Sequence, residues 1–170
     1  MVTVDSTVFV STDGYPYVID GGPSCEPRKC RNTEEADIPL PDIACGYPNS
    51  AIATPFGMVY SSKDGLVLVM PNAKFQIITS QWFSTDDWIK IRPDTVRLAY
   101  WRGYLICVTD IISFMLEIDG DTYTDFRLGA LSTISDQPVD MVTTSTGELM
   151  MLETDRLIYQ WNAGDTLRPY

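Results

Sequence analysis

Histidine is absent from the chain. That absence removes the commonest general base, the commonest zinc ligand, and every Ser-His-Asp or Cys-His arrangement. Basic residues are scarce: twelve Lys and Arg stand against 23 Asp and Glu, for a formal net charge of −11. Arg28, Lys29 and Arg31 are the only basic cluster, so the chain lacks the counterion-releasing patch that drives binding to phosphate backbones, and no specific nucleic-acid binding is expected. Long apolar runs are missing as well. No uncharged stretch approaches the roughly 18 residues of a membrane span, and Met1 to Thr7 carries no basic segment ahead of an apolar one. Neither a membrane span nor a signal peptide is expected.

What is present is the composition of a folded domain. Hydrophobic residues make up 45% of the 170 and charged ones only 21%, well inside the range in which burial outweighs chain entropy. A single domain over 1–170 is expected, interrupted by an irregular Pro/Cys-rich loop insertion at about 21–48.

The informative feature is a recurring phrase: an apolar strand, a tight turn ending in glycine, and a second apolar strand. Val8-Phe9-Val10 runs through Asp13-Gly14 into Tyr17-Val18-Ile19, and Met58-Val59-Tyr60 runs through Asp64-Gly65 into Leu66 to Met70. Val96 to Trp101 turns at Arg102-Gly103 into Tyr104 to Val108, and Met141 to Thr144 turns at Gly147 into Leu149 to Leu152. Glycine is expected at each turn because hairpins need a positive φ there. Third strands are expected at Phe75 to Thr79, Phe114 to Ile118 and Leu157 to Trp161. The marked glycines, 14, 65, 103 and 147, lie between 38 and 51 residues apart, which brackets the period of a four-stranded propeller blade. Strands such as Leu66 to Met70 are apolar on both faces, as a strand between two neighbouring sheets must be. The expectation is therefore an all-β, antiparallel, β-propeller-like fold of about four blade-like meanders. One short helix is expected, with Ser84 or Thr85 as N-cap, Asp86 and Asp87 in its first turn, and an end before Pro93.

Few constellations point to chemistry. Cys25, Cys30 and Cys45 have the wrong spacing and no fourth ligand for zinc, so no metal site is expected; free thiols are, with a Cys25–Cys30 disulfide as the alternative outside a reducing compartment. Cys107 reads as a small buried hydrophobe. The two Asp-Gly turns resemble the Asp-box of sialidase-type propellers but lack its spacer, and read as hairpin turns. Asp86, Asp87, Asp119, Asp121 and Asp125 do not complete a calcium loop or a glycosidase pair. Trp82, Phe83, Trp88, Tyr100, Trp101, Tyr104 and Trp161 could form a stacking platform, but packing explains them at lower cost. No catalytic, cofactor-binding or metal residue is expected, and no enzymatic activity.

The run Phe56-Gly57-Met58-Val59-Tyr60-Ser61-Ser62-Lys63-Asp64-Gly65-Leu66-Val67-Leu68-Val69 resembles the phrase Tyr-Ser, any one or two residues, then Asp-Gly-Leu-Val of tail hub or nozzle proteins of short-tailed bacteriophages, the tail tubular protein B-like family. Cys45, the Thr79 to Phe83 stretch, the Ser84 to Trp88 helix with Pro93, the Trp101 to Leu105 turn and Leu157 to Trp161 follow in that family's order. The resemblance implies a virion structural protein of the tail, assembled in the host cytoplasm and forming part of the oligomeric conduit for genome ejection. Its partners would be further copies of itself and other tail proteins: adaptor, tube and fibres. DNA would pass through the channel without specific binding, and no catalytic residue carries over. The family's chains are several times longer, so a fragment, a divided gene product or a reduced protein is expected. The alternative is a propeller-type glycan- or protein-binding module without catalytic activity.

Overall fold

The computed structural model describes residues 1–21, 26–32, 43–118, 126–130 and 138–161. It is mostly β, with four sheets and one short helix, divided between two compact units, Met1–Asp94 and Thr95–Tyr170. In the first unit, β1 (Val2–Val4), β2 (Thr7–Val10), β3 (Tyr17–Asp20) and β4 (Pro27–Lys29) pair antiparallel in chain order. A second sheet contains β5 (Arg31–Asn32), β6 (Ile52–Thr54), β7 (Gly57–Ser61), β8 (Leu66–Val69) and β9 (Lys74–Ile77), ordered β5-β9-β8-β7-β6. Among the described residues its only parallel contact is the two-residue pairing of β5 with β9.

The pleat decides which side chains meet. Val2, Phe9 and Val18 are directly opposed across β1, β2 and β3, so they share one face. Met58, Val69 and Phe75 are opposed across β7, β8 and β9, as are Tyr60 and Val67. These residues form one buried core. Val59, Leu66 and Leu68, on the other face of the second sheet, are buried too, so its central strands are apolar on both sides, as expected.

In the second unit, β10 (Arg97–Trp101), β11 (Tyr104–Val108), β12 (Ser113–Ile118) and β13 (Phe126–Ala130) form a four-stranded antiparallel meander. It is followed by a three-stranded one of β14 (Asp140–Thr143), β15 (Leu149–Leu152) and β16 (Ile158–Gln160). Ala99, Ile106 and Val108 of the former pack on Met141, Leu149 and Met151 of the latter. The Thr143 hydroxyl donates to the Tyr100 carbonyl at 2.6 Å, and the Trp101 indole donates to the Gly147 carbonyl at 3.0 Å. Among the described residues the four sheets are separate, and none closes into a barrel.

Three of the four marked glycines carry the expected positive φ: Gly65 at +147°, Gly103 at +89° and Gly147 at +83°. Arg102 joins Gly103 at φ +49° between the paired Trp101 and Tyr104, which is the two-residue hairpin geometry with both central residues left-handed. Gly14 does not have a positive φ. There the chain is reversed over a longer loop, in which the Gly14 N–H donates to Thr12 Oγ1 at 3.0 Å and that hydroxyl donates to the Tyr15 carbonyl at 2.8 Å. A side-chain turn does the work that a left-handed glycine does elsewhere.

The helix, α1 (Thr85–Lys90), has Ser84 as its N-cap, accepting from the Asp87 N–H at 3.2 Å, and ends at Ile91, ahead of Pro93. The expected loop at 21–48 is corrected in part, because β4 and β5 fall within it. Pro-Arg-Lys has little strand propensity of its own; it is strand because β3 offers a free edge. Residues 33–42 of that stretch, with Cys25, lie outside the described residues.

Candidate functional site

The phrase that carries the family resemblance spans β7, a turn and β8, and the N–H and hydroxyl of both its serines have partners. Ser61 N–H donates to Ser50 Oγ at 2.8 Å, and the Ser61 hydroxyl donates to the Pro93 carbonyl at 3.2 Å. The Ser62 N–H and hydroxyl both donate to the Gly65 carbonyl, each at 2.9 Å. The Ser62 carbonyl accepts from the Trp88 indole at 2.9 Å, so the turn is tied to α1. Leu66 N–H donates to Thr79 Oγ1 at 3.0 Å, and Thr85 Oγ1 donates to Asp64 at 3.2 Å.

Ser50, Ser61, Ser62 and Thr79 are all fully buried. A buried hydroxyl without a partner is costly, so the network is satisfied within itself and fixes the turn. Nothing in it activates a nucleophile: the hydroxyls are held by backbone groups, and the one carboxylate, Asp64, sits at the rim accepting from Thr85. The Asp64-Gly65 turn thus has the hairpin role expected of it.

The remaining candidates are dispersed. Cys30, Cys45 and Cys107 are free thiols, Cys30 and Cys107 being buried. Burial pushes the Cys30 thiol up to about 11, against the pull of Arg28, and pushes the Cys107 thiol up as well. Both are therefore poor nucleophiles. Tyr60, buried and donating to the Ile43 carbonyl at 2.7 Å, is raised by the same desolvation. Among the described residues no three His, Cys, Asp or Glu side chains are placed to hold a metal. Asp119, Asp121 and Asp125 lie outside the described residues, while Asp86 and Asp87 are exposed on α1.

The aromatics do not form one platform. Trp88 is buried edge-on to Phe83, with ring centroids 5.8 Å apart. Trp101, Tyr104 and Trp161 pack around the core of the second unit.

One surface was not anticipated. On the β14–β16 sheet, Met141, Leu149 and Met151 face inward, and the opposite face is also apolar: Val142 is 60% exposed and Ile158 45%, with Met150 and Leu152 half-buried between them. These side chains and Asp140 line a groove of about 220 Å³. The signal was legible as apolar residues on both sides of a strand, which reads equally well as a fully buried strand.

The ionisable groups predict a plateau of stability with two falling limbs. Hydrogen bonds from Lys90 and Ser84 hold Asp87 below its ordinary value; Arg92 does the same for Asp94, and Tyr159 for Asp155. The unfolded carboxylates take up protons first, so stability is lost as pH falls through and below about 4. All three are exposed, and that limb is shallow. For Cys30 the sign is reversed: the unfolded thiol ionises near 9.0 and the native one near 11, so stability falls as pH rises across that interval, with Cys107 and Tyr60 adding to the fall. Urea midpoints measured from pH 3 to 11 should show the steeper decline on the alkaline side. A transition between pH 6 and 8 would contradict this assignment. No protein-family model matches the chain, and no curated protein matches it.

Proposed function

We propose that the chain is a non-enzymatic structural component of a bacteriophage tail, a propeller-like part of the hub or nozzle through which the genome leaves. The supporting observation is that the resemblance-bearing turn, Tyr60 to Gly65, is a closed structural device. Its serines are buried and satisfied, its indole partner Trp88 is buried, and it joins two strands of one meander in a series of four. A wall element of a conduit needs stacked, stiff sheets and no reacting groups. The net charge of −11 suits a channel wall, since like charge keeps DNA phosphates from adhering.

The exposed apolar face of β14–β16 favours the second reading, a stand-alone protein-binding module. Light scattering of the purified chain mixed with the adaptor, tube and fibre proteins encoded beside it separates the two. A stable co-complex supports the tail component, and no complex with any of them rejects it.

A further inference from the structure

The two sheets at the ends of the described chain each have one face packed and one face open. In the β1–β4 sheet, Val2, Phe9 and Val18 point to the packed core of the first unit. Alternation along the strands puts Val8, Val10, Tyr17 and Ile19 on the opposite face, where all four are part-exposed. In the β14–β16 sheet the open face is Val142, Met150, Leu152 and Ile158.

The chain shows what such a face packs against. The inner face of β14–β16, two methionines and a leucine, lies on Ala99, Ile106 and Val108 with Tyr104 beside them. The open face of β1–β4 is similar in being aliphatic with one tyrosine, Val8, Val10 and Ile19 with Tyr17, although it has no counterpart to Ala99. The charges differ in sign. Lys29, opposed to Tyr17, is exposed on the open face of β1–β4, its ammonium held 3.5 Å over the Tyr15 ring; Asp140 is exposed on the open face of β14–β16. Pairing either face with its own copy brings like charges together, whereas pairing one with the other brings opposite charges together.

We infer that the open face of β14–β16 docks the open face of β1–β4 of a second copy of this chain, giving a head-to-tail contact. Such heterologous contacts extend into rings or filaments instead of stopping at a symmetric dimer. From strand rise and spacing the four-stranded face is about 14 Å wide, the three-stranded one about 10 Å, and each about 13 Å long, well below the roughly 800 Å² a side of a standard stable interface. The association is therefore weak and concentration-dependent. It deepens the oligomeric part of the tail reading but stands on the two faces alone. The purified chain can self-associate without binding any tail protein, and the reverse, so the two claims fail separately.

The test is sedimentation velocity over a concentration series, at an ionic strength that screens the repulsion between two acidic chains. The unmodified chain should shift to larger species as concentration rises. Val142→Lys or Ile158→Lys on one face, and Val8→Lys or Ile19→Lys on the other, should each hold it as a monomer, with circular dichroism establishing that each variant is folded. Mixing Val142→Lys with Val8→Lys leaves one intact face on each partner and should give a dimer that grows no further. A chain that stays monomeric at its highest soluble concentration overturns the inference. So does self-association that survives both single-face variants, or that only one of the two faces abolishes.

Discussion

Replacing Gly57 by alanine is expected to cost about 4 kcal/mol or more, a large fraction of the stability of an ordinary domain. Gly57 opens β7 at φ +138°, a backbone conformation that side chains rarely adopt. A Cβ there would lie 2.0 Å from the Val69 carbonyl oxygen and 3.0 Å from its carbonyl carbon. These are backbone atoms of β8, the strand paired to β7, so no rotamer change relieves the clash. The Thr54 hydroxyl also donates to the Gly57 carbonyl at 2.9 Å, which holds the position from the other side. Gly103→Ala is the control. Its φ is also positive, but a Cβ there meets nothing within 4 Å, so only the backbone term remains, about 1 kcal/mol. Urea unfolding of both variants checks the contrast, and equal losses would mean that the close approach of β7 to β8 is wrong.

Trp88→Ala should lose a further large amount, about 3–5 kcal/mol for the emptied volume alone. Trp88 is fully buried, and its indole is the partner of the Ser62 carbonyl at 2.9 Å. Removing it leaves that buried carbonyl without its donor as well, a penalty of roughly 1–3 kcal/mol. Trp88→Phe keeps most of the ring, including the edge contact with Phe83, and should show mainly the second term. If Trp88→Phe were neutral in thermal denaturation, the tie between α1 and the Ser62 turn would carry no stability. The resemblance-bearing phrase would then be held by its own strands only.

Much of this architecture was legible in the residues because it is local. The central strands β2, β7, β8, β10, β11 and β15 are apolar runs closed by turn residues. The α1 cap rests on Ser84 and two aspartates. The edge strands were not legible: Val2–Val4 and Ile52–Thr54 are three residues each, and Pro27–Lys29 has strand form only because a neighbour supplies hydrogen-bonding partners. The Gly14 turn misled because Asp-Gly suits a left-handed hairpin, while a threonine two residues earlier competed for the same reversal.

The site was legible as a phrase and not as a network. Nothing near Ser62 in the chain indicates that Trp88, 26 residues on, hydrogen-bonds its carbonyl. The same holds for Thr79, which accepts from the Leu66 N–H. The open face of β14–β16 is illegible in the sequence for a different reason. Val142, Met150 and Leu152 mark a strand apolar on both sides, and only the fold distinguishes a face that is covered from one that awaits a partner.

The proposed place of this chain in the wall of a phage tail is tested most directly in an assembled particle. DNA-filled particles produced from the genome that encodes it should be purified and their tails reconstructed by electron microscopy, with the chain counted by quantitative mass spectrometry. Several copies per particle are expected, arranged as sheet-rich density around the channel. Particles that contain no copy, or that assemble and eject DNA normally when the chain is deleted, would contradict the proposal.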